Sequence, residues 1–261
     1  MKHIDNILDL DRYPINDLEG FATDCNAKLN EHGSVVLPNF MSELALKEVR
    51  EEAEEKKHLA YFSEKTHTVY LSPTDTDYPD NHSRNRQIIS TKGCITDDQV
   101  GKQSPLRVLY DSKEFRQFLC TVLGESALFA YEDPLSSINV HYHETGQELG
   151  WHFDNSSFAI TLMIQSAESG GEVEYVKQLR NSEKGDMNFD GVGKVLDGIK
   201  KPVQLAQSPG SLVLFRGRDT IHRVTPNKGK QDRILVVFAY NTKPGISLSE
   251  EARKTFFGRV N

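Results

Sequence analysis

The chain has 261 residues, with 37% hydrophobic and 26% charged residues and a formal net charge of −7. That length buries a core without staples, the composition is too balanced for long-range disorder, and the acidic balance argues against a nucleic-acid face. No apolar run approaches the ~18 residues that span a membrane, and the opening segment MKHIDNILDLDRYP lacks the basic-then-apolar order of a secretory leader, so a cytoplasmic protein is expected.

No internal repeat or linker-like run demands a boundary, so residues 1–261 read as one domain. Leu18, Phe21, Ala22, Cys25 and Leu29 recur at helical spacing after Asn16, a cap candidate, and the pattern stops at His32-Gly33. A short apolar strand, Ser34 to Leu37, precedes a second helix from Ser42 to Lys57. Residues 63–104 are polar, with turn signals at Ser72-Pro73, Tyr78-Pro79 and Lys92-Gly93, and predict a long loop of the kind that serves as a lid. Phe115, Phe118, Leu119, Val122 and Leu123 mark another helix, ended by Gly124.

From about residue 127 the apolar period changes to two. Strands are expected at Ser137–His143, Phe158–Gln165, Glu172–Val176, Val203–Leu205, Ser211–Phe215, His222–Thr225 and Arg233–Tyr240, separated by Gly and Pro turns. Asn188 to Gly198 predicts a helix inserted between strands, and Ser247 with Glu250 offers a capping box for a last one. Helices in 1–125 followed by strands in 126–261 fit an α+β chain whose mainly β core is a sandwich or jelly roll under a helical cover.

The chemistry concentrates in Gly150-Trp-His-Phe-Asp154. On a strand, residues two apart share a face, so His152 and Asp154 point the same way. His222, at the start of a short apolar strand, is the candidate third ligand. Two imidazoles and one carboxylate occupy one face of an octahedral ion and leave three positions open, the pattern of non-haem Fe(II) oxygenases. Cys25, Cys94 and Cys120 lack CxxC spacing and offer no alternative metal site. Arg233 lies eleven residues beyond His222 and opens an apolar strand. A keto-acid dicarboxylate that chelates iron needs its far carboxylate neutralised, and a guanidinium does this bidentately. The spacing predicts a hairpin with His222 and Arg233 as neighbours across it.

The set His152-x-Asp154…His222…Arg233 resembles the Fe(II)/2-oxoglutarate-dependent dioxygenases. Asn85-Arg86, Ser104-Pro-Leu-Arg-Val-Leu-Tyr110, Asp133-Pro-Leu135, Gly146 to Asp154, Gly170-Gly-Glu-Val-Glu-Tyr175, Leu214-Phe-Arg-Gly-Arg218, His222-Arg-Val-Thr-Pro226 and Pro244-Gly245 are similar to the bacterial branch of free amino-acid hydroxylases and radical halogenases, including those acting on lysine. The resemblance covers residues 80–261. It implies a double-stranded β-helix with iron at its mouth, held by His152, Asp154 and His222. It also implies 2-oxoglutarate and O2 as co-substrates, with Arg233 as the 2-oxoglutarate anchor and Asn139 as a polar contact beside it. Halogenases of this branch carry a small residue at the carboxylate position, where halide binds. Asp154 stands there instead, so hydroxylation of a small molecule such as a free amino acid is expected, with release of succinate and CO2. The rivals are halogenation or desaturation at the same iron, and a cupin-like binder without turnover.

Further candidates lie outside this set. Asn155, Arg216, Arg218, Asn241 and Thr242 sit where strands end and are expected to meet substrate. Glu132 and Asp133 are acids that can pair with a substrate amine, and Arg84 and Arg86 lie in the lid stretch. His141 and His143 alternate on one strand and read as structural or substrate-facing rather than as a second metal site. Trp151 is expected to pack, facing away from His152.

Overall fold

The computed structural model describes residues 3–261; Met1 and Lys2, the first residues of the segment weighed above as a leader, lie outside them. Helix α1 (Phe21–His32) buries Ala22, Cys25 and Leu29 and ends at Gly33, whose φ of +76° suits glycine. Its first amides are held by Asp17 rather than by Asn16: the Asp17 carboxylate accepts from Gly20 and Phe21, and a negative group suits that end of a helix. Strand β1 (Ser34–Leu37) leads to α2 (Glu43–Lys56), capped by Ser42. Helix α4 (Lys113–Leu123) follows the expected apolar stripe to Gly124. A helix absent from the expectation, α3 (Pro105–Asp111), precedes it, with Ser104 as cap and Pro105 in the first turn.

The polar stretch 63–104 is not one loop. It holds most of β2 (Tyr61–His67) and all of β3 (Ile88–Ile95), paired antiparallel from Tyr61↔Cys94 to His67↔Ile88. The later strands are β4 (Ile138–His143), β5 (Leu149–His152), β6 (Ala159–Gln165), β7 (Val173–Val176), β8 (Val203–Leu205), β9 (Leu212–Phe215), β10 (Ile221–Val224) and β11 (Arg233–Phe238). The hydrogen-bonded order is β1-β9-β6-β11-β4-β3-β5-β10-β7-β8, with β2 added on β3. All pairs are antiparallel. The curled sheet is the mainly β, jelly-roll core that the sequence predicts, with helices flanking it. Helix α5 (Phe189–Leu196) lies in the expected stretch, and Asn188 caps it. The last helix, α6 (Glu250–Phe257), is capped by Ser249, not by a box built on Ser247.

Burial decides which residues face the hollow of the sheet. Ile138, Val140 and Tyr142 of β4 and Ile234, Val236 and Phe238 of β11 share an apolar core with Phe115, Phe118 and Leu119 of α4. The Tyr142 hydroxyl donates to the Ala53 carbonyl of α2. Side chains alternate along a strand, so Asn139, His141 and His143, with Arg233, Leu235 and Val237 opposite them, face the hollow. A second cluster, Val69, Tyr70, Trp151, Phe153, Val192 and Ile221, packs under α5. Trp151 does pack there, beneath the Arg223 guanidinium at 4.8 Å.

The hairpin expected between His222 and Arg233 does not form. β10 pairs with β5 and β7, whereas β11 pairs with β4 and β6, so the connection carries the chain from one half of the curled sheet to the other. Asn227, 1% exposed, fastens it. Its amide donates to the carbonyls of His143 and Gln231, and its own carbonyl accepts from Gly229. A connection of this length with a buried Asn is a crossing, not a tight turn.

Candidate functional site

His152 ends β5 and stands directly opposite His222 of β10. Asp154 lies two residues past the strand, in a segment pinned by Phe153 N–H to Val69 O (2.8 Å) and Asp154 N–H to Gly217 O (3.1 Å). The shared face of the pair therefore comes from cross-strand pairing and these two bonds, not from a regular strand. Asp154 Oδ1 is 3.6 Å from His152 Nε2 and 3.5 Å from His222 Nε2, and the two rings are 4.1 Å apart. One ligand atom from each residue lies within 4.8 Å of the others, the only such His/Cys/Asp/Glu group among the described residues.

The ring orientations suit metal binding. His152 Nδ1 meets the Gly150 carbonyl at 2.8 Å and His222 Nδ1 meets the Thr220 carbonyl at 3.0 Å. Each bond fits an Nδ1–H donor, which turns both Nε2 lone pairs toward Asp154. Burial works against ionised Asp154, yet His222 and His152 outweigh it and hold the carboxyl far below its usual range. Asp154 Oδ2 is buried without a hydrogen-bond partner. Two imidazole nitrogens and a carboxylate with an unanswered oxygen fit a six-coordinate cation such as Fe(II). Gly217 is part of the fit, because a Cβ there would stand 1.7 Å from Asp154 Oδ2.

Arg233 is 1% exposed, and none of its three guanidinium nitrogens has a hydrogen-bond partner. Burial pulls its pKa down to about 10, so it stays charged near neutrality. Its stem runs over Gly171, where a Cβ would lie 3.0 Å from Arg233 Cδ. A buried cation with no counter-charge is costly, and a carboxylate offers the bidentate partner that the guanidinium lacks. His143 stands directly opposite, also buried, with neither ring nitrogen bonded. Asn139 shares the face, but its amide donates to the Leu135 and Ile138 carbonyls.

Burial holds His141 and His143 well below their ordinary pKa, with nearby cations adding to the effect. In the unfolded chain both take protons near pH 6.5. The unfolded state then binds more protons, so stability present above that pH is lost as pH falls. The thermal midpoint of the apoprotein is expected to drop between pH 7 and pH 5. His143→Gln removes one such group and flattens the slope; an unchanged slope contradicts this assignment.

A cleft of about 300 Å³ opens beside Asp154, lined by Asn155, Arg180, Ser182, Glu183 and Arg218. Two of the expected substrate residues, Asn155 and Arg218, are there, tied by an Arg218 bond to the Asn155 carbonyl at 2.8 Å. Arg180 stacks on Phe153 at 4.1 Å and donates to the Arg218 carbonyl at 2.8 Å. Arg180, Ser182 and Glu183 were missed because no motif or periodicity marks them. Also missed is His67, whose ring is 6.4 Å from His152 and whose Nε2 meets Ser90 Oγ at 2.7 Å.

Other candidates go elsewhere. Arg216 does not reach the cleft: its guanidinium donates to Leu123 O and satisfies the end of α4. Asp133 is structural, accepting from Leu135, Ser136 and Leu248. Arg86 pairs with Asp197, and Arg84 lies over Tyr70 at 5.8 Å. Glu132 donates through its backbone to Ile246 O. Asn241 bridges to Phe129 and Thr242 is exposed, and neither lines the cleft.

Solved structures share this architecture. A 2OG-Fe(II) oxygenase family oxidoreductase from Burkholderia pseudomallei matches at TM-score 0.53 and 16% identity, over 87% of this chain and 94% of its own. The non-haem alpha-ketoglutarate-dependent epimerase SnoN of nogalamycin biosynthesis matches at 0.57 and 13%, over 87% and 89%. A Pseudomonas putida prolyl-4-hydroxylase matches at 0.51 and 12%, over 85% and 99%. At these identities the likeness is one of fold. No curated protein matches the chain. The family model described as Halogenase D matches residues 19–257, which include His152, Asp154, His222 and Arg233, and the chain belongs to that family.

Proposed function

We propose that the protein is an Fe(II)- and 2-oxoglutarate-dependent oxygenase. In this reading it hydroxylates an unactivated C–H bond of a free amino acid, with lysine the leading candidate by resemblance, and residues 1–261 act as one catalytic domain. The observation that carries the reading is Arg233, a buried guanidinium with three unanswered nitrogens, in a fold that also sets His152, Asp154 and His222 together. A cupin-like binder whose ligand carries no carboxylate has no use for that cation. Fold-level likeness to 2-oxoglutarate oxygenases, one solved with Fe3+ and alpha-ketoglutarate, supports the same cofactors.

His152, Asp154 and His222 would hold the metal, and Arg233 the far carboxylate of the co-substrate. Bound iron and 2-oxoglutarate supply O2 activation, with succinate and CO2 released as the C–H bond is oxidised. The chain's own contribution is placement. The carbonyls of Gly150 and Thr220 aim the imidazoles, Gly217 leaves room for the Asp154 carboxylate, and Phe153 and Trp151 help pack the neighbouring cluster against water. In the cleft, Arg180 and Arg218 suit a substrate carboxylate and Glu183 suits an amine.

Halogenation is the second reading, favoured by the family's description. Asp154 speaks for hydroxylation, since its carboxylate fills the position that halide needs. The deciding experiment follows succinate formation with Fe(II), 2-oxoglutarate and O2 across free amino acids in chloride buffer, with mass analysis of the product. One amino acid is expected to stimulate succinate release and to gain a single oxygen. A chlorinated product overturns hydroxylation, and no stimulation by any amino acid overturns the substrate class.

A further inference from the structure

Strand β3 is threaded between the two halves of the curled sheet. It pairs with β4 from Gly93↔Tyr142 to Ile95↔Val140, and with β5 at Ser90↔Leu149. Tyr142 faces the helices, so Gly93 opposite it does too, and Ser90, Lys92 and Cys94 take the other face, where Cys94 is packed against Leu135 and Phe257 and Ser90 and Lys92 are left to line the hollow. Ser90 marks the metal end: its hydroxyl accepts from Gly150 N–H at 3.0 Å, two residues before His152. Lys92 is the next inward residue. The same register continued by one residue sets Lys92 beside His143, and His143 is directly opposite Arg233. Lys92, His143 and Arg233 thus stand side by side across three neighbouring strands, spaced ~4.8 Å per strand.

The Lys92 ammonium donates to His141 Nε2 at 3.1 Å, which aims it along the hollow. Burial disfavours the charge on both Lys92 and Arg233, and among the described residues no carboxylate offsets either one. Two like charges turned into one space are a poor way to stabilise a fold. They are a good way to receive a dianion, and the unbonded nitrogens of His143 lie between them.

We propose that Lys92, oriented by His141, is a second cationic arm of the co-substrate pocket, so that the hollow selects a dicarboxylic 2-oxo acid. The proposal rests on the oxygenase reading above. It assigns to the polar strand β3 a role in recognition as well as in joining the two halves of the sheet.

The test is anaerobic equilibrium binding of 2-oxoglutarate and of 2-oxobutyrate to Fe(II)-loaded protein. 2-Oxobutyrate has the same oxo-acid head without the second carboxylate. Wild type, Lys92→Met, Lys92→Arg and Arg233→Met are compared, with metal affinity and thermal midpoint measured for each. Lys92→Met is expected to weaken 2-oxoglutarate about 10- to 100-fold, the value of a lost charge-assisted bond. Its 2-oxobutyrate affinity, metal affinity and midpoint should stay near wild type, and Lys92→Arg should recover part of the loss. If Lys92→Met does not fold, Lys92→Gln carries the same comparison. Equal weakening of both acids, or 2-oxoglutarate binding unchanged while Arg233→Met loses it, overturns the role of Lys92 alone. Wild-type protein that binds no 2-oxoglutarate overturns the oxygenase reading itself.

Discussion

Gly217→Ala is expected to lower metal affinity about 10- to 100-fold although it alters no ligand, the range found when groups that orient metal ligands are disturbed. The added methyl would sit 1.7 Å from Asp154 Oδ2 and 2.5 Å from Asp154 Cγ, so the carboxylate must swing away. Its backbone cannot follow, because Asp154 N–H is bonded to the Gly217 carbonyl. Swinging removes Oδ1 from its place 3.5–3.6 Å from both imidazole Nε2 atoms. The end of a side chain moves cheaply, so the fold should persist. Metal titration alongside a thermal melt separates the effects: the midpoint stays near wild type and the metal dissociation constant rises. An unchanged metal affinity would mean that Asp154 does not bind through the carboxylate orientation described here.

Arg233→Met is expected to act in opposite directions on stability and on co-substrate. Arg233 is buried and its guanidinium has no partner, so an apolar side chain of similar length should leave the apoprotein as stable as wild type or more so. The same change removes the bidentate partner of the far carboxylate and should weaken 2-oxoglutarate binding by about 100-fold or more, some 3 kcal/mol for a charged hydrogen-bonded pair. Lysine is a poor replacement, since it cannot reproduce the planar fork. A melt and an anaerobic titration check both signs. A destabilised variant that still binds 2-oxoglutarate normally would make Arg233 a structural residue.

The helical cover was legible because its signals are local. Ser42 caps α2, and Gly33 and Gly124 end α1 and α4 in the left-handed region. Strands β4, β6, β9 and β11 were legible because one face of each meets the helices and the runs are short, apolar and bounded by turn residues, β9 being apolar and buried at every position. Strands β2 and β3 were not. β3 turns Ser90 and Lys92 into a polar hollow, so the alternation that announces a strand is missing where the strand serves the site.

The residues of the centre were legible as types and spacings, but their geometry was not. His152-x-Asp154 reads as a strand pair, yet it is held by cross-strand pairing with His222 and by bonds to Val69 and Gly217. His222 and Arg233 suggest a hairpin, whereas a buried Asn227 turns the connection into a crossing. Arg216 and Arg218 look equivalent around Gly217, but one is consumed by the end of α4 and the other lines the cleft. Such choices depend on partners far away in sequence, which no local pattern encodes.

Metal and 2-oxoglutarate should share one site built from His152, Asp154, His222 and Arg233. Anaerobic titration of 2-oxoglutarate with and without Fe(II), in wild type, Asp154→Ala and Arg233→Met, tests it most directly. One co-substrate is expected to bind per chain, tightly only with the metal, with a marked loss of affinity in each variant. Binding that ignores the metal, or that survives both substitutions, would contradict it.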